Sequence, residues 1–424
     1  MIRILKRSEV DDSEVFARAV PQVNVEEVVA EVIRRVRAEG DRALFEYCEK
    51  WDGAKLTSLR VTQEEIDEAV AVVEPEFLEI LREAAANIRR FHEKQVRTGF
   101  LQNEQEGVVT GQKIIPLDRA GLYVPGGTAA YPSTVLMDAI PARIAGCREI
   151  VMVTPPDKQG KINPVILAAA SVAGVDQIYK VGGSQAIAAL AYGTESIPRV
   201  DKIVGPGNAF VAEAKKQVYG MVAIDMIAGP SEILIVADGS ATPKFVAADL
   251  LSQAEHDRLA SAVLVTDNEA LARAVQAEVE RQLPLLLRAE IARESIDKNG
   301  KIIVASTLAE AIDISNAIAP EHLELCVADP FAVLDQVRHA GSVFMGNYCP
   351  EALGDYFAGP NHTLPTSGTA RFSSPLSVDD FVKKTQYTYY TADALKRVAE
   401  KVAYFADREG LTAHARSARI RLEE

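Results

Sequence analysis

The chain has 424 residues, of which 48% are hydrophobic and 25% are charged, a composition typical of a soluble globular protein long enough for two or more cored domains. The 46 Lys and Arg residues against 60 Asp and Glu residues give a formal net charge of −14, which argues against a nucleic-acid backbone or an anionic membrane as the main partner. No apolar run approaches the roughly 18 residues of a membrane span, and the cysteines form no Cys-x-x-Cys pair. We therefore predict a cytoplasmic protein with no nucleic-acid or membrane partner.

The first hundred residues carry the start signals of helices. Asn24 and Glu27 have the spacing of a capping box and precede apolar residues at helical spacing. Thr62 and Glu65 repeat this signal, and Pro75 is well placed to begin a further helix. This part of the chain is therefore predicted to be helical.

From about residue 113 the pattern changes to short β-rich runs. Ala-rich helical stretches, such as 209–218 and 243–255, separate most of them. This alternation predicts parallel sheets with right-handed crossovers. The predicted strands are Ile150–Thr154, Gln177–Val181, Lys202–Val204, Glu232–Ala237, Ser261–Thr266, Lys301–Ala305, Glu324–Ala328 and Gly341–Met345.

Two Gly/Pro-rich breaks, near residues 124–127 and 228–231, divide these strands into two groups. The predicted fold class is α/β, with two Rossmann-like parallel-sheet domains, one inserted in the other, and helical arms at both termini. The aromatic C-terminal tail has little room for its own core, so we expect it to be swapped in a dimer. The predicted boundaries are 1–22 for the N-terminal arm, 23–125 and 231–372 for the first, discontinuous domain with its helical N-terminal part, 126–230 for the inserted domain, and 373–424 for the helical tail.

Four of the six histidines lie in segments that suggest chemistry rather than packing. Histidine among carboxylates and Gly/Pro turns indicates metal ligation or proton transfer. An enzyme is therefore the leading interpretation. The four are His256 in Ser-Gln-Ala-Glu-His-Asp, His322 in Ala-Pro-Glu-His-Leu, His362 in Gly-Pro-Asn-His-Thr and His414 in Leu-Thr-Ala-His.

Gln253 and His256 are three residues apart at the predicted end of a helix. Their side chains should share one face and could hold two positions of a metal shell. The alternative is a helix-end histidine that is hydrogen-bonded to Glu255 or Asp257. Asp355 lies in a segment rich in turn formers and is either a carboxylate ligand or a turn residue.

Glu321 and His322 follow Pro320, which is expected to open a turn or a helix. Adjacent side chains diverge, so we predict two separate roles in one pocket, one for substrate protons and one for a water. A helix start with no catalytic function is the alternative. His414, taken alone, has the sequence context of a surface histidine.

Three Gly-rich turns, at residues 123–127, 181–185 and 204–208, each follow a β-like run and precede a helix. Backbone N–H groups at such helix starts favour phosphate. None of the three matches the full Gly-x-Gly-x-x-Gly fingerprint, and ordinary strand-to-helix turns explain each of them equally well.

Taken together and in order, these segments resemble the histidinol dehydrogenase family over about residues 20 to 420. Any one string is a weak signal, whereas their common order is a strong one. The strings are GLYVPGG (121–127), GPGNAFVAEAK (205–215), AGPSE (228–232), DLLSQAEHD (249–257), APEHLEL (319–325), GDY with GPNHTLPT (354–366) and EGLTAH (409–414).

The resemblance implies a zinc-dependent, NAD-linked enzyme that oxidises L-histidinol to L-histidine through L-histidinaldehyde in two hydride steps. This reaction is the last step of histidine biosynthesis. The resemblance also implies one Zn²⁺ per subunit and a domain-swapped homodimer with shared active sites, so that His414 completes the site of the partner subunit.

The resemblance further implies a role for each motif residue. His322 would be the general base, and Glu321 would activate the water that attacks the aldehyde. The implied zinc ligands are Gln253, His256, Asp355 and His414. The implied substrate-binding residues are Ser231, Gln253, His256, His322, Asp355, His362, Glu409 and His414, and the implied NAD-binding residues are Tyr123, Gln185 and Asn208.

Three other functions are weighed against this one. A paralogous NAD-dependent dehydrogenase of another polar alcohol would share the scaffold, but the matches at Ser231, His362 and Glu409 favour histidinol. A zinc hydrolase that uses Glu321 would act without NAD and would leave the Gly-rich turns without a role. A non-catalytic metal-binding protein would not need both Glu321 and His322.

Overall fold

The computed structural model describes residues 1–18, 24–126 and 130–423. None of the helices that these residues form combines the length and the apolar character that a bilayer span requires. The strands are β1 (Arg3–Lys6), β2 (Phe100–Gln102), β3 (Val108–Pro116), β4 (Arg119–Tyr123), β5 (Glu149–Thr154), β6 (Gln177–Lys180), β7 (Lys202–Val204), β8 (Ala223–Ile224), β9 (Glu232–Ala237), β10 (Ser261–Thr266), β11 (Lys301–Val304), β12 (His322–Cys326), β13 (Ser342–Met345) and β14 (Val382–Tyr390).

The helices are α1 (Asp12–Val15), α2 (Glu26–Glu39), α3 (Asp41–Tyr47), α4 (Gln63–Val72), α5 (Pro75–His92), α6 (Pro132–Ala145), α7 (Pro164–Ala173), α8 (Gly183–Tyr192), α9 (Ala209–Val218), α10 (Pro243–Ala254), α11 (Glu269–Gln282), α12 (Ala289–Lys298), α13 (Leu308–Ile318), α14 (Phe331–Leu334), α15 (Glu351–Tyr356), α16 (Ala392–Lys396), α17 (Ala399–Arg408) and α18 (Thr412–Arg419).

The chain divides into two compact units. The larger unit comprises residues 1–95 and 117–381 and holds two parallel sheets. The smaller unit comprises residues 96–116 and 382–424. It contains the three-stranded antiparallel sheet β14-β3-β2 and the last three helices, α16 to α18.

One sheet of the larger unit is five-stranded and parallel, in the order β6-β5-β4-β7-β8. Side chains of β5 alternate between two apolar layers: Ile150 and Met152 pack with α4 to α7, and Val151 and Val153 with α2, α3, α8 and α9. Helices therefore cover both faces, as in doubly wound folds.

The strand order of the five-stranded sheet reverses between β4 and β7. The chain runs outward from β4 to β5 and β6 and then returns to the other side of β4 as β7. Tyr123 ends β4 and Val204 ends β7, so both carboxyl ends border the crevice at this point. Open α/β sheets bind their ligands at such a crevice.

The second sheet is six-stranded and parallel, in the order β1-β11-β10-β9-β12-β13. The register of β9 and β12 pairs His322 with Ile233 and Leu323 with Leu234. Glu232 and His322, the first residues of their strands, therefore lie side by side at the amino edge of the sheet.

The predicted fold class is confirmed, and each of the predicted strands is present with small shifts at its ends. The predicted domain break near residue 126 is wrong, because β4 pairs with β5 and β7 and so begins the inserted sheet. The helical residues 26–92 also pack on that sheet rather than on the other one. β4 is hard to recognise in the sequence because Gly121 interrupts its apolar pattern. Glycine occupies this position because a Cβ there would approach Val200 too closely.

The two predicted helical arms also differ from the structure. β1 lies at the edge of the six-stranded sheet and pairs with β11, so residues 1–22 are not simply an arm. The tail 373–424 is not purely helical, because it contains β14, which pairs antiparallel with β3 in the smaller unit. Charged side chains at both edge strands obscure the apolar alternation that marks a strand. The boundary between residues 22 and 23 lies outside the described residues.

The two predicted capping boxes have different outcomes. Thr62 and Glu65 form the box with both reciprocal hydrogen bonds at the start of α4. Asn24 only accepts the N–H of Glu26, at 3.1 Å, and α2 begins at Glu26 without a box. α5 begins at Pro75, as predicted.

A buried ion pair fixes the turn after β7. Lys215 on α9 pairs with Asp225, and both side chains are almost fully buried. Lys215 Nζ donates to the carbonyl oxygen of Gly205 at 3.0 Å, and the Gly205 N–H donates to Asp225 Oδ2 at 2.8 Å. Gly205 has a φ of 116°, which favours glycine, so the turn is held in a conformation that few residues adopt.

We expect Lys215→Met to lower the free energy of unfolding by about 3–5 kcal/mol, because it leaves the buried Asp225 carboxylate unpaired. Urea unfolding of the full chain measures this loss. Lys216→Met is the matched control, since Lys216 is exposed on the same helix and should change stability by only about 0.5 kcal/mol or less. Equal losses in the two variants would contradict the importance of the buried pair.

Candidate active site and metal centre

The backbone of Glu232 holds both members of the Glu321–His322 pair. The His322 Nδ1 atom lies 3.0 Å from the carbonyl oxygen of Glu232, and Glu321 Oε2 accepts the Glu232 N–H at 2.8 Å. His322 Nδ1 and Glu321 Oε2 are 3.6 Å apart. The side chains therefore diverge less than the sequence suggested, because one residue of the neighbouring strand binds both.

The turn before this pair ends a helix rather than opening one. α13 stops at Ile318, and Ala319 adopts the left-handed conformation with a φ of 53°. Pro320 then leads into β12, which begins at His322. Of the two expectations for Pro320, a turn or a helix, the helix is therefore wrong, since the left-handed Ala319 turns the chain out of α13 and toward β12.

The geometry assigns the tautomer of His322. A carbonyl oxygen can only accept, so Nδ1 carries the hydrogen and Nε2 has a free lone pair. Burial lowers the pKa of His322, which keeps the ring neutral at pH 7. Nε2 is buried without a hydrogen-bond partner among the described residues and faces Glu351 Oε1 at 3.9 Å and Asp355 Oδ1 at 4.0 Å. His322 is therefore arranged as a proton acceptor.

His322, Glu351 and Asp355 form a cluster that could hold a metal ion. One potential ligand atom from each lies within 4.8 Å of the others. Glu351 and Asp355 are four residues apart on α15, so both carboxylates project from one face. Asp355 was expected in a turn-rich loop, and the structure corrects this to a helix that starts after Pro350. Glu351 was missed in the sequence for the same reason, because its i,i+4 spacing to Asp355 has no meaning in a loop.

His362 lies between Asp355 and α6. Its Nδ1 is 3.1 Å from the Asp355 carbonyl oxygen and therefore donates to it, while Nε2 is 3.3 Å from Thr134 Oγ1 and accepts its hydroxyl hydrogen. Burial lowers the pKa of His362 to about 4. The ring is consequently a neutral imidazole that is fixed at both nitrogens.

Gln253 and His256 differ in exposure. Gln253 is buried in the last turn of α10, and its Oε1 finds no hydrogen-bond partner in the described parts of the chain. α10 ends at Ala254, so His256 lies in the following turn with an exposed side chain rather than on the same helical face. Burial is the main cause that lowers the pKa of both His322 and His362, and the nearby His256 adds to it. His256 is therefore near enough for its charge to affect the pKa of both buried histidines.

Further buried carboxyl groups lie next to the cluster. The N–H of Glu351 donates to Glu324 Oε1 at 2.8 Å, and Ser252 Oγ donates to Glu351 Oε2 at 3.1 Å. Burial raises the pKa of Glu324 well above its ordinary value, and the charge of Asp249 adds to this. Burial likewise raises the pKa of Glu321. Carboxyl groups buried this deeply are costly to ionise without a cation nearby.

The donor set fits a zinc ion. Gln253 Oε1, His322 Nε2 and Glu351 Oε1 are buried acceptors, none with a hydrogen-bond partner in the part of the chain that the structure describes. Asp355 is also acidic and nearly buried, with its pKa raised first by burial and then by Glu351. The imidazole of the nearby His256, together with these carboxylate and amide oxygens, suits zinc and related divalent metals without requiring His322 Nε2 as a ligand.

The remaining predicted substrate residues have different locations. Ser231 directly precedes Glu232 and is half-buried, and its carbonyl oxygen accepts the Ser261 N–H at 3.0 Å. Glu409 and His414 belong to the smaller unit, where Glu409 follows α17 and His414 lies on α18. Both of these side chains are exposed.

The three Gly-rich turns lie at the carboxyl edge of the five-stranded sheet. Tyr123 accepts the Gly183 N–H on its hydroxyl oxygen at 3.1 Å, and Gln185 is buried with an Oε1 that has no hydrogen-bond partner among residues 1–18, 24–126 and 130–423. Asn208 caps α9, with Oδ1 accepting the N–H groups of Phe210 and Val211. Gly127, at the end of the first turn, lies outside the described residues. A β4–β7 crevice with an unused acceptor fits a dinucleotide.

The parallel sheets covered by helices make this an α/β protein. The buried cluster of acids and neutral histidines is typical of an enzyme active site. Comparison with known proteins gives its family. The family model for histidinol dehydrogenase matches residues 17–422. The histidinol dehydrogenase of Bacillus cereus is 59% identical over 400 residues, which cover 94% of this chain and 93% of that protein.

Two further comparisons span the whole chain. The histidinol dehydrogenase of Clostridium acetobutylicum is 52% identical over 428 residues, which cover 100% of this chain and 99% of that protein. The crystal structure of histidinol dehydrogenase from Elizabethkingia anophelis matches with a TM-score of 0.94 and 40% identity, covering 100% of this chain and 98% of that one. The chain belongs to the histidinol dehydrogenase family and is an oxidoreductase.

We expect Gln253→Met to reduce the zinc retained after dialysis while leaving the thermal stability of the metal-free protein unchanged or raised. The reason is that an unsatisfied buried acceptor costs about 1–3 kcal/mol and disappears in the variant. Metal analysis and thermal unfolding of the same preparations measure both effects. Gln282→Met is the control, because its amide is hydrogen-bonded to Glu278 and Lys244 outside the cluster. Undiminished zinc in Gln253→Met would contradict a ligand role.

Proposed function

We propose that this protein oxidises L-histidinol to L-histidine through L-histidinaldehyde, the last step of histidine biosynthesis, with NAD as coenzyme and one Zn²⁺ per subunit. The observation that carries the proposal is the buried neutral His322, whose unpartnered Nε2 faces Asp355 and Glu351. The family to which the chain belongs supports this substrate. The cytoplasmic location and the lack of nucleic-acid or membrane partners stay predictions from composition.

The proposed zinc ligands are Gln253, His256 and Asp355, with His414 supplied by the other subunit of a homodimer. The unpartnered Gln253 Oε1 and the acidic surroundings of Asp355 support this set. Zinc, when bound, anchors the substrate through its imidazole and amino nitrogens. Glu351 lies beside Asp355 and adds negative charge that favours a divalent cation.

His322 is proposed to be the general base. Its Nε2 takes the alcohol proton as hydride leaves the carbon, and the hydrogen bond from Nδ1 to the Glu232 carbonyl stabilises the imidazolium that forms. NAD, when bound, is the hydride acceptor for both oxidations. After each transfer His322 returns its proton to solvent and can act again.

Glu321 is proposed to take a proton from the water that attacks the aldehyde. Burial raises its pKa well above the ordinary value, which makes its carboxylate a stronger base than a surface glutamate. The Glu232 N–H holds one oxygen of the carboxylate and leaves the other for the water. The two proton-accepting roles are thus divided between two residues that are held by the backbone of Glu232.

Coenzyme and substrate are proposed to bind at two edges of the larger unit. Tyr123, Gln185 and Asn208, at the crevice of the five-stranded sheet, are the proposed NAD contacts. Substrate contacts are proposed for the zinc ligands and His322, together with Ser231, His362 and the exposed Glu409 of the smaller unit.

The assay that tests this function is NADH formation with L-histidinol, followed by absorbance to completion. We expect two NADH per histidinol, loss of activity with a chelator, and recovery when zinc is restored. His322→Asn should abolish turnover while retaining zinc, because the base is lost and the proposed ligands remain. Turnover with another polar alcohol but not with histidinol would replace the substrate, and no NADH with any alcohol would contradict a dehydrogenase.

Mixed dimers test whether the sites are shared. His322→Asn and His414→Ala should each be inactive alone, and dissociating and reassociating them in equal amounts should restore about a quarter of the activity of the unaltered protein, since about half of the dimers are then mixed and each has one intact site of two. The mixed dimer would contain one site with an intact His322 from one chain and an intact His414 from the other. Absence of recovery, with mixed dimers verified by tagged chains, would place His414 in the site of its own subunit.

A further inference from the structure

Three consecutive residues beside the active site are each bound by α6. Asn361 Nδ2 donates to the carbonyl oxygen of Met137 at 2.7 Å. His362 Nε2 accepts from Thr134, and Thr363 Oγ1 donates to Asp138 Oδ1 at 2.9 Å. The segment 361–363 is therefore attached to one face of a single helix.

Thr134 and Asp138 form a buried polar stripe on that helix. They are four residues apart and so lie on one face, and they are 1% and 0% exposed. The side chains between and after them, such as Leu136 and Ile140, are fully buried apolar groups. Burying a hydroxyl and a carboxyl group in such surroundings is unfavourable unless both are hydrogen-bonded. Apolar residues could fill these positions at a lower cost, so the stripe calls for a reason beyond packing.

Asp138 also reaches the turn after β7. A Cβ built on Gly205 would lie 3.1 Å from Asp138 Oδ2, so this oxygen borders the turn that Lys215 and Asp225 hold. Burial, and then the charge of Asp225, raise the pKa of Asp138 to about 8. A largely neutral Asp138 can bind Thr363 and border the turn without adding a charge to the Lys215–Asp225 pair. One carboxyl group thus lies between the proposed coenzyme turn and the segment that contains His362.

We propose that Thr134 and Asp138 are positioning residues: they fix the ring of His362, and through it the backbone of Asp355, relative to the turn at Gly205. The chain of contacts runs from Thr134 Oγ1 to His362 Nε2 and from His362 Nδ1 to the carbonyl oxygen of Asp355. This inference deepens the proposed function and rests on it for the identity of the substrate. Neither residue needs to touch substrate, since each acts through another side chain.

Thr134→Val tests this role. We expect the KM for histidinol to rise about fivefold to tenfold, as for the loss of one buried hydrogen bond, while the KM for NAD stays unchanged. Thr134→Ser should restore the KM, because the hydroxyl returns. The chelator-driven loss of zinc should also be faster in Thr134→Val than in the unaltered protein, since Asp355 is less well held.

Thr266→Val is the matched control. Thr266 is equally buried, accepts one backbone N–H from Asn268 at 3.1 Å, and ends β10 at the opposite edge of the six-stranded sheet from His322. It should lower the thermal midpoint like Thr134→Val and leave both KM values and the zinc loss unchanged. Equal kinetic constants and equal zinc loss in Thr134→Val and Thr266→Val would overturn the proposal.

A second variant covers the case in which Thr134→Val does not fold. Thr363→Val removes the donor to Asp138 from the other side of the contact and should raise the KM for histidinol in the same way. An unchanged KM and unchanged zinc loss in that variant would also overturn the proposal. The comparison of zinc loss does not use turnover, so it decides the positioning role even if the unaltered protein fails to oxidise histidinol, a result that would reject the proposed function alone.

Discussion

The active-site cluster depends on the parallel register between β9 and β12, which sets His322 opposite Ile233. This register brings the backbone of Glu232 beside both members of the Glu321–His322 pair. A slip of one residue would turn His322 to the other face of the sheet and separate it from that carbonyl group. The tautomer of His322 and the placement of Glu321 therefore both follow from strand pairing, and the carboxylates of α15 are arranged around a nitrogen that the sheet has already oriented.

The sequence predicts most of the fold because buried parallel strands are recognisable as short β-branched runs between helices. It fails where a strand lacks that pattern. β4 contains Gly121, which is required by the close approach of Val200, and β1 and β14 carry charged residues because they lie at sheet edges. The predicted domain boundary near residue 126 is wrong for the same reason. Because β4 is not recognisable in the sequence, the start of the five-stranded sheet was assigned to the other domain.

The sequence predicts the site less completely than the fold. Glu321, His322 and Asp355 carry recognisable motifs, and the structure brings them together. Glu232 acts through its N–H and carbonyl groups, which no side-chain pattern reveals. Thr134 is hidden within an apolar helix, where its polar character has meaning only once the segment at His362 is seen against it. Sequence patterns reveal local motifs, but they do not reveal contacts between segments that are far apart in the chain.

The position of β1 has a consequence for how the polypeptide is made. The five-stranded sheet is formed by the uninterrupted stretch from β4 to β8, so a nascent chain can complete it before β9 has left the ribosome. The first strand cannot do the same, because its partner β11 is synthesised far later. Until then Ile2 and Leu5, which are buried in the finished protein, have no sheet to cover them. β1 consequently stays unpaired while the five-stranded sheet forms, and its apolar side chains are covered only when β11 has been added.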